Sequence, residues 1–450
     1  MCFVRKITMK KNNSLSRDTF ATKWGFRLAC IGSAVGMGNI WMFPYRLGQL
    51  GGAAFLIPYI LCVVLIGHTG LIGEMTLGRS MESGTLGAFG KATELRGKGK
   101  RPGTLLAAVP VLGGLALAIG YSVVVAWILK FLAGSVTGAV MAAESSGAYF
   151  GATAAHFGAV PWHLLGLAIA FAVMILGIQS GIEKLNKIMI PLFYAMFLIL
   201  AVRVATLEGA MDGYRYLLIP DWSALLRPQT WVYALGQSFF SLSLAGTGTV
   251  VYGSYLKKDQ DIPAAARTIA LFDTLAALLS AFVIMPAVFA YGLDPASGPP
   301  LMFITMPEVF KQMPGGSVFM IIFFLAVLFA ALTSLVNLFE TPIEALQTFF
   351  GMSRGKAVAI VAVIGTVVGI CIEGIVSGWM DVCSIYLCPL GALMAGIMIF
   401  WVCGMKYARQ KAEEGAAKPL GKWFEPAAKY VFCGVTLIVL VMGIAWGGIG

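Results

Sequence analysis

Two short stretches rich in glycine and small polar residues interrupt apolar segments of this sequence. The first is GSAVGMGNIWMFPY, residues 32–45, and the second is SLSLAGTGT, residues 241–249. Glycine and proline at this density weaken a helix, and a broken helix leaves backbone amides and carbonyls without partners. Carbonyl oxygens suit a hard cation such as Na⁺, whereas amides at the start of a helix suit a carboxylate. The two stretches therefore predict a binding site for a cation and a small polar molecule.

The elements that carry these stretches are apolar segments of membrane length. Of the 450 residues, 59% are hydrophobic and 12% are charged, with a mean hydropathy of +0.85, which excludes an ordinary soluble domain. Apolar runs of about 20 residues predict an all-α membrane protein. The eleven predicted helices lie near residues 24–46, 53–77, 104–133, 162–179, 188–206, 230–256, 267–292, 317–346, 357–377, 382–405 and 428–448.

The distribution of charge predicts the orientation in the membrane. The net charge of +11 does not indicate nucleic-acid binding, because the basic residues cluster in alternate connections. This positive-inside pattern places the N-terminus in the cytoplasm, and an eleventh helix then leaves the C-terminus outside. The cysteines and histidines show no metal-ligand spacing, and we expect no obligatory protein partner.

The two interruptions fall in the first and sixth predicted helices. The pair Gly32 and Gly36 alone could be a helix-packing face of small residues. A second interruption in the sixth helix favours binding instead, since the first and sixth helices correspond if the chain is two repeats of five helices. Paired interruptions of this kind indicate the substrate site of an inverted-repeat transporter.

Further motifs surround the interruptions. They are GGAAFLIPY (51–59), FFSLSL (239–244), YGSYLKKDQDI (252–262), ALTS (331–334), and Gly181 with Pro191 ten positions later. With these motifs the chain resembles the neurotransmitter:sodium symporter family, in particular its bacterial eleven-helix amino-acid transporters. The resemblance implies a cytoplasmic tail (1–16), two inverted repeats of five helices (17–206 and 230–405), and a cytoplasmic loop with one additional helix (406–450). Helices 1 and 6 would be unwound at mid-membrane.

The resemblance also implies two sodium sites. The first would use Ala34, Asn39, Ser241 and Asp273, together with the substrate carboxylate. The second would use Gly32, Val35, Ala330, Thr333 and Ser334. Both sets offer oxygen atoms from a broken backbone and nearby side chains, which suits a hard cation.

The substrate implied by the resemblance is an amino acid. Its carboxylate would meet amides near Met37 and Gly38 and the hydroxyl of Tyr121, and one wall position is either Gly246 or, after a one-residue slip, Thr247. Both are small, which favours a large or aromatic hydrophobic side chain. The full implied set is Ala34, Met37, Gly38, Leu117, Tyr121, Phe240, Ser241, Ser243, Gly246, Thr247 and Leu338.

The gates depart from the family pattern. Met42 replaces the usual outer arginine, so we predict a gate formed by Arg46 and Asp381, with Tyr121 and Phe240 closing over the substrate. Asp381 could instead only cap its helix. The implied inner gate consists of Arg17, Phe20 and Tyr255. Its acid is not at the expected position, and Glu344 is the nearest candidate.

Asp273 stands where chloride-dependent members of the family have an asparagine. Its carboxylate can supply the negative charge that chloride supplies there, and a buried carboxylate favours its neutral form once sodium leaves. We therefore expect chloride-independent symport coupled to proton counter-transport. A solvated or capping acid is the alternative, although carboxylates within a membrane are usually functional.

The expected function is sodium-coupled import of a hydrophobic amino acid by alternating access in a bacterial cytoplasmic membrane. The alternatives are a transport-silent amino-acid sensor and a symporter of another small amine or organic solute. We do not expect an enzyme, because the spans contain no nucleophile–base pair.

Overall fold

Helices account for the regular structure of the chain. The computed structural model describes residues 19–295 and 301–446, and these ranges contain no β-strand. The predicted inner-gate residue Arg17 lies outside the described residues. The helices of the first half are α1 (Lys23–Ala34), α2 (Phe43–Gln49), α3 (Ala53–Cys62), α4 (His68–Met81), α5 (Thr85–Glu94), α6 (Arg101–Val136), α7 (Ala139–Ala142), α8 (Ser146–Ala154), α9 (Val160–Ile175) and α10 (Lys184–Ala205).

The second half continues the same architecture. Its helices are α11 (Ala210–Leu218), α12 (Pro228–Ser241), α13 (Gly248–Ser254), α14 (Ile262–Ala290), α15 (Met306–Gln312), α16 (Gly316–Phe350), α17 (Arg354–Ile372), α18 (Val376–Val382), α19 (Cys388–Gly396), α20 (Met405–Glu413), α21 (Phe424–Pro426) and α22 (Cys433–Trp446). Short π-helical stretches join several of them, at Gly38–Met42, Val63–Gly67, Ile178–Glu183, Leu301–Thr305, Cys383–Leu387, Ile397–Val402 and Ala427–Phe432. Two 3-10 turns lie at Ala224–Leu226 and Glu373–Ile375.

Several helices are long and apolar enough to cross a membrane. Within the described ranges there are seven, or eight if the bent pair Lys23–Ala34 and Gly38–Gln49 counts as one span. One of them, Arg354–Val402, has 49 residues, which at about 1.5 Å per residue exceeds two hydrocarbon cores of about 30 Å. The count also omits the shorter helix α9 and the interrupted pair α12 and α13. The chain is an all-α membrane protein, while the eleven-helix count and the repeat boundaries stay predictions.

Close backbone contacts hold the interrupted helices inside the bundle. Helix α1 packs against α10, α14 and α16, and α13 packs against α4. At the second contact a Cβ atom on Gly78 would lie 1.9 Å from the carbonyl oxygen of Val250, and one on Gly253 would lie 2.6 Å from that of Met75. Only glycine allows two membrane helices to approach this closely. The glycines of α4 and α13 therefore fix the inner half of the second interrupted helix.

Candidate functional site

The first interruption separates α1 from the π-helical turn that begins at Gly38. The residue after α1, Val35, has an extended backbone (φ −69°, ψ 106°), and the two halves are bent by 50°. The side-chain oxygen of Asn39 accepts a hydrogen bond from the Gly36 amide at 3.0 Å. The last carbonyl groups of α1 and the first amide groups of the turn that begins at Gly38 consequently lie close together.

The second interruption lies between α12 and α13 and is held by its neighbours. Ser243 (φ +53°) and Gly246 (φ +67°) have left-handed backbones, which end the helix. The Gly246 amide donates to Glu74 at 2.8 Å, and its carbonyl accepts from the Thr85 hydroxyl at 2.8 Å. A Cβ atom at Gly246 would lie 2.4 Å from the carbonyl oxygen of Gly391. Glycine is thus required at this position by both its backbone angle and its packing.

The predicted second sodium set comes together between α1 and α16. The Ser334 hydroxyl oxygen lies among three carbonyl oxygens, 3.1 Å from that of Gly32, 3.3 Å from Ser33 and 3.2 Å from Val35. One hydroxyl proton cannot serve three acceptors, so lone pairs remain for a cation. The neighbouring hydroxyl, of Thr333, lies 3.0 Å from the Ala330 carbonyl oxygen. An oxygen-only set with surplus lone pairs fits sodium.

The predicted first sodium set forms around Asp273, which is fully buried in α14. The Asn39 amide nitrogen donates to a carboxylate oxygen of Asp273 at 2.8 Å. The hydroxyl oxygen of Ser241 lies 2.9 and 2.8 Å from the two carboxylate oxygens, and the fourth predicted residue, Ala34, is buried nearby in the cavity wall described below. The carboxylate and hydroxyl fit sodium, whereas Asn39 would have to rotate its amide to present its oxygen.

A cavity of about 50 Å³ lies between the two interruptions. Its lining includes every predicted substrate-binding residue except Ser241 and Gly246, namely Ala34, Met37, Gly38, Leu117, Tyr121, Phe240, Ser243, Thr247 and Leu338. Ser241 points to Asp273, and Gly246 packs against α19. Of the two alternatives for the wall position, Thr247 lines the cavity and Gly246 does not.

Three further polar or thiol side chains line the same cavity, and the sequence reasoning missed them. They are Ser33, Asn337 and Cys388. The hydroxyl of Ser33 could not be singled out, because small polar residues next to glycine are common in membrane helices. Asn337 lies three residues after Ser334, so helical periodicity from the predicted sodium ligands could have identified it.

A vestibule of about 910 Å³ lies on the outer side of this cavity. Met37, Tyr121 and Phe240 line both spaces and therefore separate them. The predicted gate residues Arg46 and Asp381 both line the vestibule. The Arg46 guanidinium lies 4.2 Å from the ring centre of Tyr233 and 4.7 Å from that of Tyr45. A gate between them would close by bringing the two side chains across the vestibule.

Exchanging the charges of this pair tests the gate. We expect Arg46→Asp and Asp381→Arg each to abolish uptake, because each places two like charges across the vestibule, and we expect the double exchange to restore part of it. Uptake into proteoliposomes, at protein amounts matched by light scattering, measures this. A double variant as inactive as either single variant would rule out the gate between Arg46 and Asp381, and Asp381 cannot cap a helix start because it lies near the end of α18 (Val376–Val382).

The side opposite the vestibule, which is predicted to face the cytoplasm, is closed by packing and by an ion pair. The Phe20 ring meets the rings of Tyr252 and Tyr255 edge-on at 5.6 and 6.4 Å. The Tyr255 hydroxyl donates to Glu340 at 2.8 Å, and Arg354 donates to both oxygens of the same carboxylate at 2.9 and 2.8 Å. Glu340 therefore links Tyr255 to Arg354 at the start of α17.

The candidate inner-gate acid Glu344 has other partners. It accepts from the Gly84 amide and from the Thr348 hydroxyl, both at 2.7 Å. These contacts join α16 to the start of α5. The acid that contacts the predicted inner-gate residue Tyr255 is Glu340, one helical turn before Glu344.

Comparison with known proteins agrees with the family that the sequence motifs indicate. The sodium:neurotransmitter symporter family model matches residues 17–152 and 148–446. The chain belongs to this family. The symporter is 37% identical over 326 residues to the uncharacterized sodium-dependent transporter YhdH of Bacillus subtilis (strain 168), covering 71% of this chain and 70% of that protein. It is 29% identical to the sodium-dependent nutrient amino acid transporter 1 of Drosophila yakuba, over 78% of this chain and 65% of that protein.

A solved structure supports the fold of the symporter. The crystal structure of MhsT in complex with L-phenylalanine superposes with a TM-score of 0.86 and 34% identity, covering 95% of this chain and 100% of that chain. The symporter is accordingly a multi-pass, sodium-dependent secondary transporter with a small-molecule substrate, and it is not an enzyme. These matches confirm the family and fold predicted from the sequence.

Proposed function

We propose that this symporter imports a hydrophobic amino acid together with sodium across a bacterial cytoplasmic membrane. The observation that carries the proposal is the cavity between the interruptions, whose lining combines polar and apolar residues. Ser33, Tyr121 and Asn337 supply polar groups, and Leu117 and Leu338 supply apolar walls. A hydrophobic amino acid likewise combines a charged head with an apolar side chain.

The hydroxyl of Tyr121 supports recognition of a carboxylate. It lies 3.2 Å from the Met37 amide nitrogen, at the start of the outer half of the first interrupted helix. A carboxylate there would accept from both groups, and a hydrogen bond to an ionised group contributes about 1.5–3 kcal/mol. The positive end of the helix dipole adds to this attraction. L-phenylalanine in MhsT supports the same class of ligand for this chain.

The walls of the cavity support a large side chain. Thr247 is short, and Phe240 is half-buried and also lines the vestibule, so that its ring can withdraw toward it. A larger apolar side chain would then fill the space that the ring leaves. A large hydrophobic amino acid is therefore the proposed substrate, and the amino-acid panel below tests this choice.

Two sodium ions and no chloride form the ionic part of the proposal. The Ser334 set and the Asp273 set each offer oxygen ligands, and Asp273 brings a full negative charge to the first of them. A second anion there would meet that charge at close range and be repelled. Protonation of Asp273 after sodium release would carry a proton outward in each cycle.

Alternating access is supported by the contrast between the two ends. The outer side has a wide vestibule, while the inner side is closed by Phe20, Tyr255 and the Glu340–Arg354 pair. Import requires these inner contacts to open after Phe240 closes over the substrate.

Thermal unfolding of the purified protein tests the substrate and ion proposals. Each standard amino acid and a panel of biogenic amines are added in sodium chloride, sodium gluconate and potassium chloride. We expect large hydrophobic amino acids to raise the unfolding midpoint in both sodium salts and not in potassium, because a ligand stabilises only the state that binds it. Stabilisation in sodium chloride but not in sodium gluconate would contradict chloride independence, and stabilisation by amines alone would contradict the substrate class.

A further inference from the structure

Three buried polar side chains from separate segments meet beside the outer vestibule, apart from the substrate and sodium sets. They are Ser122 on α6, His163 on α9 and Glu373 in the turn after α17, with exposures of 1%, 0% and 2%. Ionisable groups among apolar helices are costly and usually functional. The proposed transport chemistry uses none of the three.

Ser122 determines which nitrogen of the His163 ring carries a hydrogen. Its hydroxyl donates to the Ile119 carbonyl at 2.6 Å, and its oxygen lies 2.8 Å from Nε2 of His163. Because the hydroxyl hydrogen is directed to Ile119, the oxygen accepts from Nε2–H. A neutral imidazole has one N–H, so Nδ1 then carries a lone pair.

The lone pair on Nδ1 faces another acceptor. Oε1 of Glu373 lies 3.6 Å from Nδ1, and within the described ranges neither this nitrogen nor either carboxyl oxygen has a hydrogen-bond partner. The amide of Phe157 also faces the carboxyl, beyond hydrogen-bond geometry. Two buried acceptors facing each other are unfavourable, and a proton on either one would make it a donor to the other once the 3.6 Å separation closes to hydrogen-bond length.

The geometry fits a proton better than a metal ion. A metal ion needs at least three protein ligands, and no group of three or more histidine, cysteine, aspartate or glutamate side chains in the described part of the chain could hold one. Glu373 lines the vestibule, and its covered carboxyl oxygens need only a small movement of the lining to meet external water. The site can therefore exchange a proton with the outside.

We propose that His163 and Glu373 form a proton-binding site that opens on the outer vestibule, and that its occupancy is coupled to the position of α6. Ser122 follows Tyr121 directly in sequence, so a movement of the His163 ring is passed to the helix that carries the substrate hydroxyl. A Cβ atom at Gly369 would lie 2.4 Å from Cε1 of His163, so α17 packs tightly on the ring. The coupling to substrate rests on the proposed function, whereas the proton site does not.

Other titratable groups face this region from the packed elements. His156 lies beside Gly374, the residue that follows Glu373: a Cβ atom added to Gly374 would be 3.6 Å from Cγ of His156. The charge of His156 also acts on the Glu373 carboxyl. Arg46 and Asp381 line the same vestibule. Further charged or titratable groups on the elements packed against the site are Tyr121, Lys130, Glu340, Glu344, Arg354, Lys356 and Glu183. His156 is the nearest of these groups, so its own titration is removed in a separate variant.

The pH dependence of thermal unfolding tests the proton site without any ligand. Wild type, Glu373→Gln and His156→Gln are compared in a potassium salt between roughly pH 5 and pH 8. Glutamine has the shape of the protonated acid and cannot ionise. We expect wild type and Glu373→Gln to agree at the acid end and to separate by about 2 °C or more as the pH rises, since only wild type then loses the buried proton. His156→Gln keeps the proton site, so it too should separate from Glu373→Gln as the pH rises.

A separation between wild type and Glu373→Gln that is the same at every pH would overturn the proton site. If Glu373→Gln does not fold, His163→Gln replaces it in the same comparison, and the same criterion applies.

The affinity for the amino acid in saturating sodium tests the coupling. Across this pH range we expect the affinity of wild type to change about fivefold or more beyond the change seen in Glu373→Gln. Equal pH dependence in the two proteins would overturn the coupling. Absence of amino-acid binding at any pH would instead count against the proposed substrate, and the ligand-free result would still decide the proton site.

Discussion

Replacing Asp273 by asparagine should lower the apparent affinity for sodium, measured through amino-acid binding, by about tenfold to a hundredfold. The carboxylate is fully buried and accepts hydrogen bonds from Asn39 and Ser241. Interactions of an ionised group of this kind contribute about 1.5–3 kcal/mol, and every 1.4 kcal/mol corresponds to about tenfold. Asparagine preserves the size of the side chain and one acceptor but removes the charge, so the loss reports the charge itself.

A sodium titration at fixed amino-acid concentration measures this effect, with bound substrate as the readout. Asp212→Asn is the matched control, because Asp212 is exposed on α11 and pairs only with Arg215 at the surface. Its sodium curve should coincide with that of wild type. The dependence of uptake on internal pH should also disappear in Asp273→Asn. A wild-type sodium curve for Asp273→Asn would show that the carboxylate is not a sodium ligand.

A methyl group at Gly36 should reduce amino-acid affinity by about fivefold to more than a hundredfold. The added Cβ atom would lie 2.6 Å from the Ser334 hydroxyl oxygen and 2.8 Å from the Tyr121 hydroxyl oxygen. These groups lie on α16 and α6, which pack along each other and cannot both withdraw. Overpacking costs about 1–3 kcal/mol. Here it acts on the second sodium set and on the carboxylate-binding hydroxyl together.

Equilibrium binding in saturating sodium measures the loss, and the unfolding midpoint without ligand shows whether the fold survives. Gly434→Ala is the control, because a Cβ atom at this position in α22 meets nothing within 4 Å. That change should leave affinity unaltered and stabilise the helix slightly. If Gly36→Ala bound the amino acid as wild type does, the proposed position of the substrate carboxylate would be wrong.

The interruptions and the family could be predicted from the sequence because their signal is local. Glycine and asparagine between Gly32 and Asn39, and again in AGTG, break a helical pattern that is otherwise continuous, and the structure ends α1 and α12 next to these residues. The predicted ligands follow from motif positions, and the structure brings most of them to one cavity and two oxygen sets. The sequence could not decide between Gly246 and Thr247, because a one-residue shift in an irregular backbone changes which side chain faces inward.

Other features depend on contacts between distant residues, which no local pattern indicates. Ser122, His163 and Glu373 lie far apart in sequence, and each alone resembles an ordinary residue of an apolar helix. The sequence suggested Glu344 as the acid of the inner gate, but in the structure the Tyr255 hydroxyl donates to Glu340. The direction of the Asn39 amide was also beyond prediction, because it is set jointly by the nearby Gly36 amide, which donates to its oxygen, and the distant Asp273 carboxylate, which accepts from its nitrogen.

The hydrogen bonds within the two oxygen sets have a consequence for the rate of the transport cycle. The Ser334 hydroxyl occupies the space among three carbonyls, and Asn39 and Ser241 donate to Asp273. An arriving ion therefore displaces internal donors, and its net affinity is the difference between two satisfied arrangements. A transporter of this kind must release sodium into the cytoplasm and then reorient without it. A small free-energy difference between the ion-bound and the internally hydrogen-bonded arrangements makes both steps easier. Weak net affinity at both sets favours rapid turnover over tight retention of the ion.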